Sequence, residues 1–326
     1  MRWSRCQPLS RALCVAKIEI LGIIMKKLAV CEDLLDQNKK LDTGKYCAPV
    51  FIASSFFGTL LANDEELVPK KFDKNSVRSG TLTFVSYKGE YFALTCNHVL
   101  EALQKRQNAW KKEQLEKFDF EPPIEGVELF TPIGEFQHHF NYKLMPVVQN
   151  EFGEQPDVAI ARVKLDYIKR LGRKAIVFAN KKSLPETGIA SGYPEEQRSI
   201  RQGINLNTFS PKHVECIATL QVTAKGGLLL QDAIEEHKGI DVLSGMSGGP
   251  IIWSDAKRFG LAGIVMEGLD IQPKEGQLVE EPGIWIHGER ITAELFDRWI
   301  KDIPPLQELE NKTKGLFVPD KMREHA

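Results

Sequence analysis

The stretch Asp241–Trp253, DVLSGMSGGPIIW, decides the fold of this chain. Ser247 stands between glycines, and Pro250 then opens an apolar run that is rich in β-branched and aromatic residues. Such a run predicts a strand, whereas a G-x-S-x-G elbow that leads into a helix would need helix-forming residues here. The stretch therefore predicts a tight turn that presents a serine hydroxyl at the entrance of a strand.

Strand signals of the same kind dominate residues 46–269, where short apolar runs are broken by Gly, Pro and Asn. The segment VSYKGEYFAL predicts a hairpin with Lys88-Gly89 as its turn. Helical patterns are few: one covers Val99–Phe118, and another lies near the end of the chain with Thr292 as its N-cap. This balance favours an all-β sandwich or barrel over a parallel α/β sheet.

Composition and charge exclude several classes of partner. The chain has 326 residues, of which 43 are basic and 44 acidic, so its net charge is −1. That balance predicts no nucleic-acid partner and no anionic membrane surface, and no stretch approaches the roughly 20 apolar residues of a membrane span. The expected partner is a protein or peptide substrate, and the oligomeric state stays open.

The six cysteines predict neither a disulfide framework nor a metal centre, because they form no C-x-x-C pair and lack zinc-ligand spacing to the histidines. Reduced thiols of a cytoplasmic protein are the simplest interpretation. Cys96 is expected to be a buried small residue, with a redox-sensitive thiol as the alternative. The basic N-terminus lacks a signal-peptide cleavage site, and Met25 is an alternative start. The cysteines are Cys6, Cys14, Cys31, Cys47, Cys96 and Cys216.

A serine hydroxyl needs a base within hydrogen-bond reach before it acts as a nucleophile. Upstream, YFALTCNHVL predicts a strand that ends in a turn carrying His98, and PDVAIARV places Asp157 at the mouth of another strand. The spacings of 59 and 90 residues leave room for three distant loops to meet in one cleft. The order His, Asp, Ser is one of the known orders of a catalytic triad.

These motifs together resemble the trypsin-like (chymotrypsin-fold) serine peptidases. LTCNHV is similar to the family's Thr-x-x-His motif, DVAIA to its Asp-x-Ala segment, and GMSGGP to its Gly-x-Ser-Gly-Gly-Pro motif, over about residues 46–275. The resemblance implies two six-stranded antiparallel β-barrels of chymotrypsin type with a C-terminal α-helix. The implied segments are an N-terminal extension at 1–45, a first barrel with His98 and Asp157 at 46–172, a second barrel with Ser247 at 173–288, and a helix and tail at 289–326.

The resemblance also implies roles for individual residues. His98 would act as the general base, Asp157 would orient it, and Ser247 would attack the substrate carbonyl. The backbone N–H groups of Gly245 and Ser247 would form the oxyanion hole, and no metal or organic cofactor is expected. The substrate pocket would be lined by Asp241, Met266, Glu267 and Gly268.

Within that pocket, Asp241 stands six residues before Ser247, and Glu267 lies on the wall strand GLAGIVMEG. Two acidic side chains there predict a preference for Arg or Lys at the cleavage site. Two rival functions stay open. One is a non-catalytic peptide-binding pseudoprotease, and the other is a G-x-S-x-G esterase in which His287, downstream of the serine, acts as the base.

Overall fold

The structure is a computed structural model that describes residues 41–54, 79–118, 127–133, 136–150, 153–178, 184, 187–195, 198–202, 207–232, 244–255, 258–271 and 283–306. The chain divides into two compact units, Met1–Asp42 and Thr43–Ala326, and every element named below belongs to the second. Most of the predicted N-terminal extension, the alternative start at Met25, the pocket residue Asp241 and the polar tail after residue 306 lie outside the described residues. Within the described ranges, no helix has the length and apolarity that a bilayer crossing requires.

The described part of Thr43–Ala326 is built mainly of strands, as the sequence predicted. A short 3-10 helix at Thr43–Tyr46 precedes the first strand. The strands are β1 (Cys47–Ser54), β2 (Ser79–Tyr87), β3 (Glu90–Thr95), β4 (Val127–Ile133), β5 (Phe136–His139), β6 (Met145–Pro146), β7 (Ala159–Arg162), β8 (Ile176–Val177), β9 (Thr187–Gly192), β10 (Arg198–Gln202), β11 (Asn207–Pro211), β12 (Val214–Val222), β13 (Leu228–Asp232), β14 (Pro250–Ser254), β15 (Phe259–Ile271) and β16 (Gly283–Arg290). The helices are α1 (Asn97–Phe118), α2 (Leu165–Arg170) and α3 (Ala293–Trp299).

The N-terminal sheet contains eight strands rather than the expected six. Its order is β5-β4-β1-β2-β3-β7-β6, and β8 pairs with β2 in the parallel sense. The β2–β3 hairpin is confirmed: Lys88 and Gly89 form its turn, both with positive φ (49° and 83°). Two positive φ values match the right-handed twist of the flanking strands, which is why a Gly is favoured there.

The C-terminal sheet closes into the expected six-stranded barrel, in the order β12-β13-β16-β15-β14-β9. Its interior is filled by fully buried apolar side chains, among them Trp253 and Ile251 from β14 and Leu230 from β13. The strand that follows the serine turn is therefore anchored in the barrel core. The predicted boundary between the two barrels at residues 172 and 173 stays a prediction, although β8, which follows it, pairs with the N-terminal sheet.

Two of the three helices were predicted from their patterns. Helix α1 begins at Asn97, two residues before the predicted start, and directly follows the strand β3 that ends at Thr95. Helix α3 has the predicted N-cap: the side chain of Thr292 accepts a hydrogen bond from the backbone N–H of Leu295 at 3.1 Å. The all-β architecture with a C-terminal helix is thus confirmed.

Candidate active site

His98 lies in the first turn of helix α1, immediately beyond the end of strand β3. The backbone N–H of Val99 donates to the carbonyl oxygen of Cys96 at 3.1 Å, which closes the turn between strand and helix. The His98 side chain is 49% exposed, whereas Cys96 and Thr95 before it are fully buried. The imidazole is therefore held at a fixed place but faces solvent.

Asp157 contacts His98 through both of its carboxylate oxygens. Its Oδ1 accepts the backbone N–H of His98 at 2.9 Å, and its Oδ2 lies 2.7 Å from the ring Nδ1. An ionised carboxylate only accepts hydrogen bonds, so this contact favours the neutral tautomer with hydrogen on Nδ1 and a free lone pair on Nε2. The two residues predicted from separate motifs are thus in direct contact.

The charge distribution around the pair favours its ionised form. The hydrogen bond to Asp157 raises the pKa of His98, against a smaller opposing effect of burial. Burial acts to raise the pKa of Asp157, but the hydrogen bonds from the ring and backbone of His98 outweigh it, so that pKa is lowered. Asp157 therefore stays charged over the neutral pH range and stabilises a protonated His98.

Ser247 occupies the turn that the sequence predicted, with Pro250 as the first residue of β14. The flanking glycines have left-handed backbones, with φ of 95° at Gly245 and 88° at Gly248. L-residues other than glycine rarely adopt such angles. Met246 is fully buried in the barrel core and anchors the turn, whereas Ser247 is half-buried.

Threonines of strand β2 hold the serine turn in place from the other sheet. The backbone N–H of Thr81 donates to the carbonyl oxygen of Ser247 at 2.9 Å, and its hydroxyl donates to the carbonyl oxygen of Gly245 at 2.9 Å. The hydroxyl of Thr83 donates to the carbonyl oxygen of Gly248 at 2.7 Å. Buried hydroxyls need such partners, so these bonds fix the register between β2 and the turn.

One backbone carbonyl joins the serine turn to the histidine segment. The carbonyl oxygen of Val265 accepts the N–H of Gly248 at 2.8 Å and the thiol of Cys96 at 3.0 Å. Cys96 is two residues before His98, and Gly248 is next to Ser247. The segments that carry His98, Asp157 and Ser247 therefore meet in one place, although they lie far apart in the sequence.

The serine hydroxyl itself donates to a backbone carbonyl rather than to His98. Ser247 Oγ donates to the carbonyl oxygen of Met266 at 2.8 Å instead of to His98. Met266 lies at a bulge in β15, where the register to β16 shifts between Val265 and Glu267. A bulged residue leaves the ladder, so its carbonyl is available to another donor. A hydrogen bond from this hydroxyl to His98 would require it to leave the Met266 carbonyl.

The backbone amides of the serine turn differ in the acceptors that they have among the described residues. The N–H groups of Gly248 and Gly249 donate to the carbonyl oxygens of Val265 and Met246 at 2.8 Å each. Among the described residues, by contrast, none accepts a hydrogen bond from the N–H of Gly245 or of Ser247. These are the two donors that the sequence assigned to an oxyanion hole, and their assignment stays a prediction.

The predicted substrate-pocket residues are only partly described. Met266, Glu267 and Gly268 follow one another on β15, with Met266 half-buried and Glu267 exposed. Asp241 lies outside the described residues, so the two-carboxylate pocket stays a prediction. Glu267 is nevertheless close enough to His98 to raise its pKa through charge, as is Glu101 of helix α1.

Sequence reasoning missed several residues that support the site. Glu195 accepts hydrogen bonds from the backbone and hydroxyl of Ser79, and its own N–H donates to the carbonyl oxygen of Ser244 in the serine turn. Burial raises the pKa of Glu289, against a hydrogen bond from the backbone of Asp157 that lowers it. The sequence carries no signal for these contacts, because each joins segments from different strands.

Cys96 is also more than the buried small residue that was expected. Its burial is confirmed, and burial raises the pKa of its thiol well above the usual value. The thiol, the His98 ring and the Asp157 carboxylate nevertheless lie close together, with one ligand atom of each within 4.8 Å of the others. These three side chains are the group that would suit a metal ion among the described residues, although sequence spacing predicted none.

Replacing Gly248 by alanine is expected to destabilise the protein by at least about 3 kcal/mol, since the left-handed backbone and the overlap of a new Cβ both cost energy. A Cβ at Gly248 would overlap the carbonyl oxygen of Thr81 and the hydroxyl of Thr95. Gly89→Ala is a matched control, because Gly89 has φ of 83° and nothing within 4 Å of an added Cβ. Urea unfolding compares the two, and equal losses would show that the close packing at Gly248 costs nothing.

No protein-family model and no curated protein matches this chain. Solved structures of proteases are similar to it at low identity. The protease Anisep from Arthrobacter nicotinovorans is 12% identical over 78% of this chain and 94% of that chain, with a TM-score of 0.41. The serine protease domain of the Sesbania mosaic virus polyprotein is 11% identical (75% and 93% covered, TM-score 0.34), and human heparin binding protein is 11% identical (68% and 84% covered, TM-score 0.35). At TM-scores below 0.5 these similarities establish nothing about the chemistry of this chain.

Proposed function

We propose that this protein is a serine endopeptidase that hydrolyses peptide bonds through an acyl-enzyme, with Ser247 as nucleophile, His98 as general base and Asp157 as its orienting acid. The observation that carries the proposal is the pair of contacts from the Asp157 carboxylate to His98, at 2.9 Å to its backbone N–H and 2.7 Å to its ring Nδ1. A surface Asp–His ion pair needs only one contact. The second contact, to the backbone, fixes the direction of the ring and leaves Nε2 as an acceptor.

The first proposed chemical step is a proton transfer from Ser247 to His98. The Ser247 hydroxyl leaves the Met266 carbonyl and gives its proton to Nε2 of His98, and the oxygen attacks the substrate carbonyl carbon. The imidazole becomes positively charged, next to the carboxylate that stabilises it. The new oxyanion accepts hydrogen bonds from the free N–H groups of Gly245 and Ser247, each worth roughly 3–4 kcal/mol in the transition state. The protonated imidazole then delivers its proton to the leaving amine.

A peptide substrate would itself favour the productive serine conformation. The Met266 carbonyl lies on β15 at a bulge, where a backbone N–H of an extended peptide is a competing donor. If the peptide takes that acceptor, the Ser247 hydroxyl loses its partner and is free to donate to His98. Hydrogen bonds of this kind often form only in the substrate complex.

The second candidate function, a non-catalytic peptide-binding protein, is favoured by one observation: the Ser247 hydroxyl donates to Met266 and not to His98. The esterase alternative has less support. A strand, β14, follows Ser247 where the elbow of that fold needs a helix, and Asp157 holds His98 rather than His287.

A fluorophosphonate probe distinguishes the two remaining functions, because it phosphonylates a serine only when a base activates it. We expect labelling of the intact chain, mapped by peptide mass spectrometry to Ser247, and none in His98→Ala. His287→Ala is the matched control and should be labelled like the parent. A chain that stays unlabelled while binding peptides would be the pseudoprotease, and labelling that depends on His287 would support the esterase.

We also propose a preference for basic residues at the cleavage site. Glu267 is exposed on β15 next to Met266, and its negative charge acts to raise the pKa of His98. A cationic substrate side chain would gain from such a field. Asp241, the second acidic residue predicted for the pocket, lies outside the described residues.

Replacing Glu267 by glutamine is expected to lower the ratio of kcat/KM for a lysine peptide over a matched leucine peptide by about five-fold, in line with the loss of one partly screened charge. Glu116→Gln, in the last turn of α1, removes an equally exposed carboxylate and should leave the ratio unchanged. Equal rates for lysine, leucine and glutamate peptides with the parent enzyme would refute an acidic pocket.

A further inference from the structure

The thiol of Cys96, the imidazole of His98 and the carboxylate of Asp157 form a compact three-residue cluster that the proposed reaction does not fully use. One ligand atom from each residue lies within 4.8 Å of the other two. Cys96 is fully buried, whereas the side chains of Asp157 and His98 are 22% and 49% exposed. The soft sulfur ligand thus lies on the buried side of the cluster, and the imidazole and carboxylate lie on the side toward solvent.

We propose that Cys96, His98 and Asp157 bind a thiophilic divalent cation, with Zn²⁺ as its representative, and that the bound cation switches the active site off. Thiolate, imidazole and carboxylate are the three ligand types that zinc takes from proteins. The inhibitory part rests on the proposed function, whereas the binding part does not.

The distances need only small adjustments to suit tetrahedral coordination. With metal–sulfur bonds near 2.3 Å and metal–nitrogen or metal–oxygen bonds near 2.1 Å, ligand atoms around one zinc are separated by about 3.4–3.6 Å. No two of the three ligand atoms are more than 4.8 Å apart, so the widest gap has to close by little more than about 1 Å. The 2.7 Å contact between His98 Nδ1 and Asp157 Oδ2 has to open by about 0.7 Å to reach that spacing.

The charges and protons balance in the bound state. The thiol proton leaves to solvent, so one thiolate and one carboxylate neutralise a divalent cation, and a neutral site is the least costly one to hold in a partly buried place. The Val265 carbonyl loses the thiol as a donor but keeps the N–H of Gly248. The remaining tetrahedral position is open to a water molecule from the cleft.

Further negative charge surrounds the cluster and favours a cation. Glu101 and Glu267 act on His98 through their charges, and Glu289 acts on Cys96. These three glutamates belong to α1, β15 and β16, so they approach the cluster from different elements. A cation that arrives from solvent is therefore drawn toward the exposed side of the His98 ring.

Binding at this place would disable the base by changing its tautomer. Coordination uses the Nδ1 lone pair, so the single proton of the neutral imidazole moves from Nδ1 to Nε2. Nε2 then carries a hydrogen and has no lone pair to accept the proton of Ser247. The cation would inhibit without touching the serine or the substrate pocket.

Binding can be tested apart from catalysis by titrating the full-length Ser247→Ala chain, freed of metal by a chelator, with Co²⁺. Cobalt takes zinc sites, and a cobalt–thiolate bond gives a charge-transfer band in the near ultraviolet. We expect a band that saturates at one equivalent, that is lost in Cys96→Ser, and that needs at least ten-fold more Co²⁺ in His98→Ala. His98 is on the surface, so this variant remains informative even if the buried Cys96 variant folds poorly.

Cys216→Ala is the matched control, because it removes another buried thiol, on β12, and should keep the band. A band that persists unchanged in Cys96→Ser, or no band in the Ser247→Ala chain, would overturn the site. A band lost equally in Cys216→Ala would overturn it as well.

The inhibitory part is tested with Zn²⁺ on the active chain, read out as turnover and as fluorophosphonate labelling of Ser247. We expect both to fall together, and half-inhibition to need at least ten-fold more Zn²⁺ in Cys96→Ser relative to that variant's own metal-free rate. Labelling that is insensitive to Zn²⁺ while the cobalt band is present would overturn inhibition but not binding. A chain that shows the cobalt band and is never labelled would instead contradict the proposed function alone.

Discussion

Replacing Ser247 by alanine is expected to lower kcat for peptide hydrolysis by about a million-fold, the loss typical when a triad nucleophile is removed. The alanine variant retains the free N–H groups of residues 245 and 247, so a small residual rate above that of water should remain. The fold should not suffer, since the hydroxyl makes a single hydrogen bond, to Met266, among the described residues. We expect the free energy of unfolding to change by about 1 kcal/mol or less.

Ser244→Ala is the matched control for this experiment. Ser244 lies three residues earlier in the same turn, its side chain is exposed, and among the described residues its backbone carbonyl accepts the N–H of Glu195. Its turnover should equal that of the parent. The double variant Ser247→Ala with His98→Ala should be no slower than Ser247→Ala alone, because a base without a nucleophile has no role. Additive losses, or turnover that survives Ser247→Ala, would show that Ser247 is not the nucleophile.

Replacing Asp157 by asparagine is expected to lower kcat by about ten thousand-fold, with little effect on the size or shape of the side chain. The side-chain amide of asparagine can donate a hydrogen bond to Nδ1 of His98, which favours the tautomer with hydrogen on Nε2. The base then has no lone pair for the serine proton. Asp166→Asn, an exposed position in the first turn of α2, is the control and should keep full activity.

The pH profile separates a loss of orientation from a loss of structure. The hydrogen bond to Asp157 raises the pKa of His98, and the neutral ring is the active form. The acid limb of kcat/KM should therefore lie above the ordinary histidine value of 6.5, with activity rising as pH increases through the limb. In Asp157→Asn the residual activity should have its acid limb at lower pH. An unshifted limb, measured with chelator present, would contradict the role of Asp157.

Local signals in the sequence predicted much of the secondary structure. Lys88-Gly89 predicted the β2–β3 turn because a glycine adopts a positive φ at little cost, and Thr292 predicted the start of α3 because its hydroxyl caps a free N–H. The strand count of the N-terminal sheet was wrong by two, since β6 and β8 are two residues long each. Such short strands depend on their neighbours and leave no periodic pattern to detect.

The sequence by itself determined which residues have the right chemistry for the site and where each one sits on its own element. His98 follows a strand end, Asp157 precedes a buried strand, and Ser247 lies in a glycine turn, because strand periodicity and turn residues act over a few positions. Only the tertiary structure decided what those side chains contact. The hydrogen bond from the serine hydroxyl to Met266, the bond from Thr81 to the turn and the place of the Cys96 thiol near Asp157 each join different elements. Their contacts depend on sheet register and barrel closure, in which a shift of one residue would reverse the face of every side chain.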